Sequence, residues 1–291
     1  MAFVLAALAD HVTTLFSQNV APVRLTRVDL MAELLTDLRA ETASFETLLH
    51  DLRDGDWDRP TPAAGWAVRD QVSHLAWFDD AAVLAATDPG GYRASLAAFT
   101  SVDDVAARAR GTAPAELHAW FRASRARSLE VFATLGARDR LPWFGPDMSA
   151  ASFVTARLME TWAHGQDVAD ALGVTREPTA RLRHVAMMGF RARPYSFAVR
   201  GLPVSAEPVR VELAMPGGGT WTAGPPDAPS FVRGTALDFC LVVTQRIHLS
   251  DTGLEREGEP ARAWMEIAQC FAGPPGKGRS PKSGANQGDS G

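Results

Sequence analysis

Three residues in two separate blocks have the types and spacing of a metal site. Glu160 and His164 are four residues apart in a helix-like stretch, so both side chains project from one helix face. His74 lies in a second such stretch. If the two helices pack side by side, two imidazoles and one carboxylate converge without a fourth protein ligand. Such a set suits a divalent metal that keeps a position open for water or substrate.

Spacing alone also fits a plainer interpretation. Glu160 and His164 could be a polar pair on a helix surface, and His74 a hydrogen-bonded histidine of the core. One neighbour favours the metal site. Asp167, one turn after His164, could accept the second ring N–H of a ligating histidine. Arg157, one turn before Glu160, could hold that carboxylate or a substrate anion, although a solvated arginine is an equal alternative. Tryptophans could wall a pocket there, at positions 57, 66, 143 and 162, although aromatic residues of bundles mostly belong to the core.

In four stretches apolar residues recur with the spacing of long amphipathic helices. These helices would position the candidate ligands. They cover residues 28–52, 67–87, 115–135 and 153–172. Asp147 or Ser149 can cap the last helix, and Gly173 ends it. Four helices of this length predict a four-helix bundle, and facing helices of bundles often build metal sites in the core.

The pattern changes after Pro178, where a small α+β domain is expected. Its predicted helices cover 179–190, 234–247 and 260–271, and its predicted strands cover 209–213, 220–222 and 230–232. The fold class is therefore mainly α. We predict an N-terminal extension at 1–25, a metal-binding bundle at 26–173, the α+β domain at 178–272 and a disordered tail at 273–291.

Composition excludes several classes of protein. The chain has 291 residues, is 46% hydrophobic and 22% charged, and has a net charge of −5, which does not favour nucleic acid as a partner. Its two cysteines do not form a disulfide framework, so a reduced, cytoplasmic protein is expected. The apolar start is too short for a membrane span and unlike a signal peptide, so no membrane partner is expected.

Two sequence blocks resemble the metal-binding motifs of the DinB-like superfamily. Residues 65–75 read GWAVRDQVSHL and residues 160–168 read ETWAHGQDV. They are most similar to the branch of mycothiol-dependent maleylpyruvate isomerase, and the whole chain best resembles an actinobacterial subgroup described only as metal-binding. In that superfamily a bundle holds a divalent metal, usually zinc. The resemblance implies that the ligands are His74, Glu160 and His164.

The C-terminal part resembles the sterol-carrier-like second domain of the same family. The helix at 238–246 fits the family signature, with Gln245 in place of a glycine. The resemblance implies a catalytic or substrate-binding role for Arg246, whose planar fork suits a carboxylate. A helix-terminal arginine that faces solvent is an equal alternative. Residues 246–254 depart from the isomerase, which favours a substrate other than maleylpyruvate.

The resemblance implies a metal- and mycothiol-dependent isomerase or thiol S-transferase. Its partners would be a small-molecule thiol and an electrophilic substrate, and the chain would act as a monomer or homodimer. The rival interpretation is a non-catalytic metal-binding or interaction protein. A third, which the acidic composition disfavours, is an accessory of wyosine-type tRNA modification, because the C-terminal segment is faintly similar to a domain named for it.

Overall fold

The computed structural model describes residues 27–282. Along the chain its elements are α1 (Arg27–Leu49), α2 (Val68–Thr87), α3 (Pro89–Ser95), α4 (Val102–Ala107), α5 (Pro114–Phe132), β1 (Arg140–Leu141), β2 (Met148–Ser149), α6 (Ala150–Leu172), α7 (Leu182–Arg191), α8 (Arg193–Ala198), β3 (Val209–Ala214), β4 (Thr220–Ala223), β5 (Ser230–Thr235), α9 (Ala236–Val243), β6 (Glu255–Glu257) and α10 (Glu259–Ile267). The expected mainly α fold, a helical part followed by a small α+β part, is confirmed.

The four long helices are α1, α2, α5 and α6, and they pack as a bundle. Helix α1 packs on α6, and α2 packs on both α5 and α6. The apolar stripe of α1, which includes Leu34, Leu38 and Phe45, is buried, as its helical period predicts. Because α2 and α6 are direct neighbours, residues on their facing sides can meet inside the bundle.

Local hydrogen bonds determine where the two central helices begin. At the start of α2, the Ala67 amide donates to Oδ2 of Asp70 at 2.8 Å, and Arg110 donates twice to the same carboxylate at 2.9 Å. The alanine cannot cap the helix with its own side chain, so Asp70 supplies the acceptor. At the start of α6, Ser149 Oγ accepts from the Ser152 amide at 3.2 Å, which confirms one of the two predicted caps.

The second part of the chain builds a four-stranded sheet in the order β4–β3–β5–β6. Strands β3 and β5 are parallel, and the outer strands are antiparallel to their neighbours. Helix α9 packs on β3, β5 and α7, while α7 also packs on α6. Gly189 permits the close approach of α7 and α9, since a Cβ there would lie 2.7 Å from Cγ2 of Val243. One cluster of buried apolar side chains spans both parts of the chain.

The differences from the sequence expectation concern short elements and the end of the chain. The spacing of apolar residues does not predict α3, α4, α8, β6 or the β1–β2 hairpin. These elements have at most seven residues each, which is too short for a helical or strand pattern to repeat. The prediction of a disordered tail is wrong for residues 273–282. This segment contacts the rest of the protein: the Gly273 carbonyl accepts from the Tyr195 hydroxyl, and Arg279 donates to Asp167. The predicted extension at 1–25 lies outside the described residues, and the domain boundaries stay predictions.

Candidate metal centre

The three predicted ligands converge between α2 and α6. Nε2 of His164 lies 3.1 Å from Oε2 of Glu160, and Nε2 of His74 lies 3.6 Å from the same oxygen. One donor atom from each residue lies within 4.8 Å of the other two. The imidazole rings are 4.3 Å apart between centroids. The helix pairing expected from the bundle therefore brings the residues together, while their role as ligands stays a prediction.

The centre is enclosed on the imidazole side and partly open at the carboxylate. The exposed fractions of the His74 and His164 side chains are 7% and 9%, against 23% for Glu160. Burial and the neighbouring His164 lower the pKa of His74 to about 3 against the opposing effect of Glu160. Burial alone would raise the pKa of Glu160, but the adjacent imidazoles of His164 and His74 hold it well below its usual value. The set is a neutral imidazole at position 74 beside an ionised carboxylate.

These residues fit a divalent cation. Metal ligation requires deprotonated donors, and the low pKa values of His74 and Glu160 provide them. Within residues 27–282, Nδ1 of His74 is buried without a hydrogen-bond partner, an unusual cost for a polar atom. Two imidazoles and one carboxylate are the donor types that zinc accepts in sites with an open position.

Gln71, and not Asp167, orients His164. Nδ1 of His164 lies 2.5 Å from Oε1 of Gln71, whose Nε2 donates to Oγ1 of Thr61 at 2.9 Å. Because the amide nitrogen is engaged by Thr61, its oxygen faces the ring and Nδ1 must donate. That leaves the lone pair on Nε2, which faces Glu160. The expectation for Asp167 is wrong, since its Oδ2 is 4.0 Å from Nδ1.

Asp167 instead binds two arginines from the distal part of the chain. Its Oδ2 accepts from Arg246 at 2.7 Å, and its Oδ1 accepts from Arg279 at 2.6 Å. The candidate catalytic residue Arg246 therefore does not face open solvent: it binds Asp167, which lies one helical turn after His164. The sequence analysis did not identify Arg279, because it falls in the segment expected to be disordered.

The turn that follows α9 aims Arg246 at the bundle. The amide of Gln245 bonds to the Val242 carbonyl at 2.9 Å, and the amide of Arg246 bonds to the Leu241 carbonyl at 2.7 Å. These two bonds define a Schellman motif, in which the first residue past the cap is left-handed. Gln245 adopts φ of 60° and is the only non-glycine residue with positive φ between residues 27 and 282. It occupies the position where the family signature has glycine.

Arg157 is neither solvated nor bound to Glu160. Its Nε donates to Oδ1 of Asp79 at 3.1 Å, and Arg125 donates to Oδ2 of the same residue at 2.6 Å. All three side chains are at least 96% buried. Both interpretations drawn from the sequence are therefore wrong, because Asp79 on α2 lies where α5 and α6 face it and takes both guanidinium groups.

Aromatic rings cover the two imidazoles. Trp66 stacks on His164, with the centroids 5.8 Å apart and the planes 8° from parallel, and it also lies 5.3 Å from the ring of His74. The ring centroid of Phe78 lies 4.5 Å from that of His74. The Trp66 indole N–H donates to Asp103 at 2.8 Å, which holds the ring in place. Of the four tryptophans considered from the sequence, Trp66 is the one that contacts both histidines.

The fold and site define a helical-bundle protein with a small α+β part and a candidate His–Glu–His centre. The family model described as the mycothiol maleylpyruvate isomerase N-terminal domain matches residues 38–169. Two uncharacterized proteins of Mycobacterium tuberculosis, from strains CDC 1551 / Oshkosh and ATCC 25618 / H37Rv, are each 48% identical to this chain over 250 residues. Each alignment covers 84% of the chain and 97% of the relative. The chain belongs to the mycothiol-dependent maleylpyruvate isomerase superfamily.

Two solved structures share this fold. They are crystal structures of the mycothiol-dependent maleylpyruvate isomerase and of a mutant of it, with TM-scores of 0.55 and 0.54. Both are 16% identical in sequence, and both cover 78% of this chain and 92% of the isomerase chain. At this level of sequence identity the likeness shows a shared fold. No helix within residues 27–282 is long and apolar enough to cross a membrane.

Proposed function

We propose that this protein is a cytoplasmic metal-dependent enzyme that uses mycothiol as an isomerase or thiol S-transferase. The observation that carries the proposal is the convergence of His74, Glu160 and His164 within 4.8 Å, with the carboxylate side partly open. These three residues would hold a divalent metal, and their donor types suit zinc. When bound, the metal would lower the pKa of a coordinated thiol and so supply a thiolate nucleophile at neutral pH.

The chain itself offers no ready thiolate. Cys240 and Cys270 are its two cysteines, and both are buried. Burial, and after it the nearby Glu160, raise the pKa of Cys270 to about 12. Burial also raises the pKa of Cys240 well above its usual value. A thiol-dependent reaction at this centre therefore needs a thiol from outside the chain, which agrees with the mycothiol dependence stated for the structural neighbours.

The residues around the centre have distinct tasks in the proposed reaction. Gln71 keeps the lone pair of His164 on Nε2, towards the metal. Trp66 and Phe78 exclude water from the imidazoles. Arg246 would bind an anionic group of the electrophile and orient it towards the thiol sulfur. Addition of the sulfur to an activated double bond, bond rotation and loss of the same thiol would give isomerisation; without elimination the product would be an S-conjugate.

The metal content of purified variants tests the ligand assignment. We expect His74→Ala and His164→Ala to lose the metal that the unaltered protein retains, as measured by elemental analysis. His118→Ala is the matched control, because it removes a bundle imidazole that bonds to Glu46, away from the centre. A His74→Ala or His164→Ala protein with full metal occupancy would refute the assignment.

Binding and turnover of the thiol test the reaction. Mycothiol should raise the melting temperature of the metal-loaded protein and not that of the His164→Ala variant, since a ligand of the native state stabilises it. Turnover of an electrophile panel with mycothiol would then support an enzyme. Metal and thiol binding without turnover of any electrophile would favour the non-catalytic alternative.

A further inference from the structure

The segment that follows α10 runs along the junction between the two parts of the chain. We call its residues 273–282 the strap. Near the start of the strap, the Tyr195 hydroxyl donates to the Gly273 carbonyl at 2.8 Å. At its end, the Lys282 amide donates to Asp251 at 2.9 Å. Both ends of the strap are therefore attached to the α+β part of the protein.

Between these attachments, Arg279 reaches across to the bundle. It donates to Oδ1 of Asp167 on α6 at 2.6 Å and to the Pro62 carbonyl. Asp167 also binds Arg246, and Asp170, one turn further along α6, attracts the charge of Arg279 as well. Two guanidinium groups thus face two carboxylates, so the charge of Arg279 is balanced within the protein and its contact with the bundle needs no ligand.

The carbonyl that binds Arg279 belongs to a loop that covers the candidate metal centre. This loop, residues 60–66, carries Thr61, which bonds to the glutamine that orients His164. It ends at Trp66, whose ring stacks on His164 with 5.8 Å between the centroids. Arg279 therefore ties the loop that covers the imidazoles to the helix that carries one of them.

The strap itself buries little apolar surface. Within it Gly276 and Arg279 are partly buried and the other residues are exposed, and residues 273–281 form neither helix nor strand. Segments with few buried apolar contacts open locally at a small cost in free energy, without unfolding of the remaining structure. The strap can therefore leave the bundle while both parts of the protein stay folded.

We propose that the strap controls access to the two imidazoles of the candidate metal centre. Arg279 is then a positioning residue that acts on the centre through the loop at 60–66. While Arg279 is bound, the loop keeps Trp66 on the imidazole rings and excludes water. When the strap opens, the loop is released on that side, and small molecules reach the centre. The inference rests on the proposed function only for the metal and thiol as the species that enter.

Hydrogen exchange of the chelator-treated protein, followed by mass spectrometry, tests the link between strap and loop. In the closed loop the Thr61 amide donates to the Trp66 carbonyl at 2.8 Å, and the Trp66 amide donates to the Ala63 carbonyl at 3.0 Å. We expect Arg279→Met to raise the exchange rates of these two amides by about 10-fold or more, because hydrogen bonds of a charged group are lost.

The exchange measurement has an internal reference in the turn between β3 and β4. There the Met215 amide donates to the Gly219 carbonyl at 3.1 Å, far along the chain from the loop. Its exchange rate should be the same in Arg279→Met and in the unaltered protein. An equal rise at Met215 and in the loop would show general destabilisation and would overturn the positioning role of Arg279.

Two further variants separate the contact from its charge. Lys277→Met removes a positive charge from an exposed position of the same strap, so loop exchange should stay as in the unaltered protein. Arg279→Lys keeps the charge without the planar fork and should show intermediate exchange. It also serves if the methionine variant does not fold. Loop exchange equal to that of Lys277→Met, in folded Arg279→Met or in Arg279→Lys if only that variant folds, would overturn the proposal.

Access to the centre is measured by modification with diethyl pyrocarbonate, which acylates neutral imidazoles. In the chelator-treated protein, we expect His74 and His164 to react about 10-fold or more faster in Arg279→Met than in Lys277→Met, because more of the protein has an open strap. His50, whose side chain is 77% exposed, should react equally in both and is the reference. Equal rates at His74 and His164 in the two variants would show that the strap does not control access.

The proposed function and the strap fail in different ways, because both measurements use metal-free protein. If zinc and mycothiol bind but Arg279→Met and Lys277→Met behave alike, the strap proposal is wrong and the proposed function stands. If the purified protein takes up no zinc, the metal assignment is wrong. Faster loop exchange and faster imidazole modification in Arg279→Met would then still support control of access by the strap.

Discussion

Nδ1 of His164 on α6 lies 2.5 Å from Oε1 of Gln71 on α2, and this contact joins the two helices that carry the candidate ligands. Gln71 is fully buried and lies one helical turn before His74. The same helix turn therefore supplies one candidate ligand, His74, and the group that orients another, His164. Such outer hydrogen bonds control both the tautomer and the ring direction of a ligating histidine.

Replacement of Gln71 should weaken metal binding without removing a ligand. Gln71→Leu leaves Nδ1 of His164 without an acceptor, so we expect zinc affinity to fall about 10- to 100-fold, as for other outer-shell partners. Competition with a chromophoric chelator measures the affinity. Gln71→Glu keeps an acceptor oxygen and should retain most of the affinity. Gln166→Leu is the control, because Gln166 bonds to Asp170 and does not contact the candidate ligands. Equal zinc affinity in Gln71→Leu and Gln166→Leu would contradict the orienting role of Gln71.

The ion cluster beneath the centre should dominate the electrostatic stability of the bundle. Asp79 is 0% exposed between Arg125 and Arg157, so Asp79→Asn leaves two buried guanidinium groups without a counter-charge. We expect a loss of about 3–5 kcal/mol in the free energy of unfolding, measured by urea denaturation.

The adjacent residue provides the control for that prediction. Asp80 pairs with Arg127 at 2.6 Å, but its side chain is 37% exposed. Asp80→Asn should therefore cost no more than about 1 kcal/mol, as usual for surface pairs. Similar losses for Asp79→Asn and Asp80→Asn would show that burial does not set the strength of the Asp79 cluster.

Helical period was sufficient to predict the elements that carry the candidate ligands. The apolar positions of α2 and α6 recur every three to four residues, so both helices and the face shared by Glu160 and His164 follow from the sequence. The start of α6 follows as well, because Ser149 is a good cap. The spacing of apolar residues does not determine how each helix is rotated about its axis relative to its neighbour.

That rotation decides which polar residue meets which. Asp167 and Gln71 are both one turn from a predicted ligand, and sequence spacing favoured the acid. In the structure Asp167 faces Arg246 and Arg279, which are 79 and 112 residues away, and Gln71 faces His164. Likewise, nothing in the local sequence distinguishes Asp79, which binds two arginines, from the partly exposed Asp80. Long-range partners of this kind are absent from local patterns.

The folded-state pKa of His74 gives the metal-free protein a specific pH dependence. It is lowered to about 3 from an ordinary value of 6.5, mainly by burial. Below pH 6.5 the unfolded chain takes up a proton at this site and the folded chain does not. The stability present above pH 6.5 is therefore lost as the pH falls towards 3, by up to about 1.4 kcal/mol per pH unit.

Urea denaturation of chelator-treated protein between about pH 6.5 and about pH 5 measures this loss, at pH values where carboxylates contribute little. The unaltered protein should lose stability more steeply than His74→Gln, which has no titrating ring at this position. The difference in slope isolates His74 from the other histidines. Parallel curves for the two proteins would show that His74 does not have the low pKa.

Because Gln245 has a left-handed backbone conformation, a Gln245→Gly variant should be more stable than a Gln245→Ala variant. Gln245 has φ of 60°, and its Nε2 donates to the Ala268 carbonyl at 3.1 Å. Gln245→Gly and Gln245→Ala both lose that hydrogen bond, so its energy cancels between them. Alanine keeps the steric cost of positive φ and glycine does not, so the glycine variant should be more stable by about 1 kcal/mol in urea denaturation. An alanine variant as stable as the glycine variant would mean that the turn after α9 relaxes, and Arg246 would then move away from Asp167.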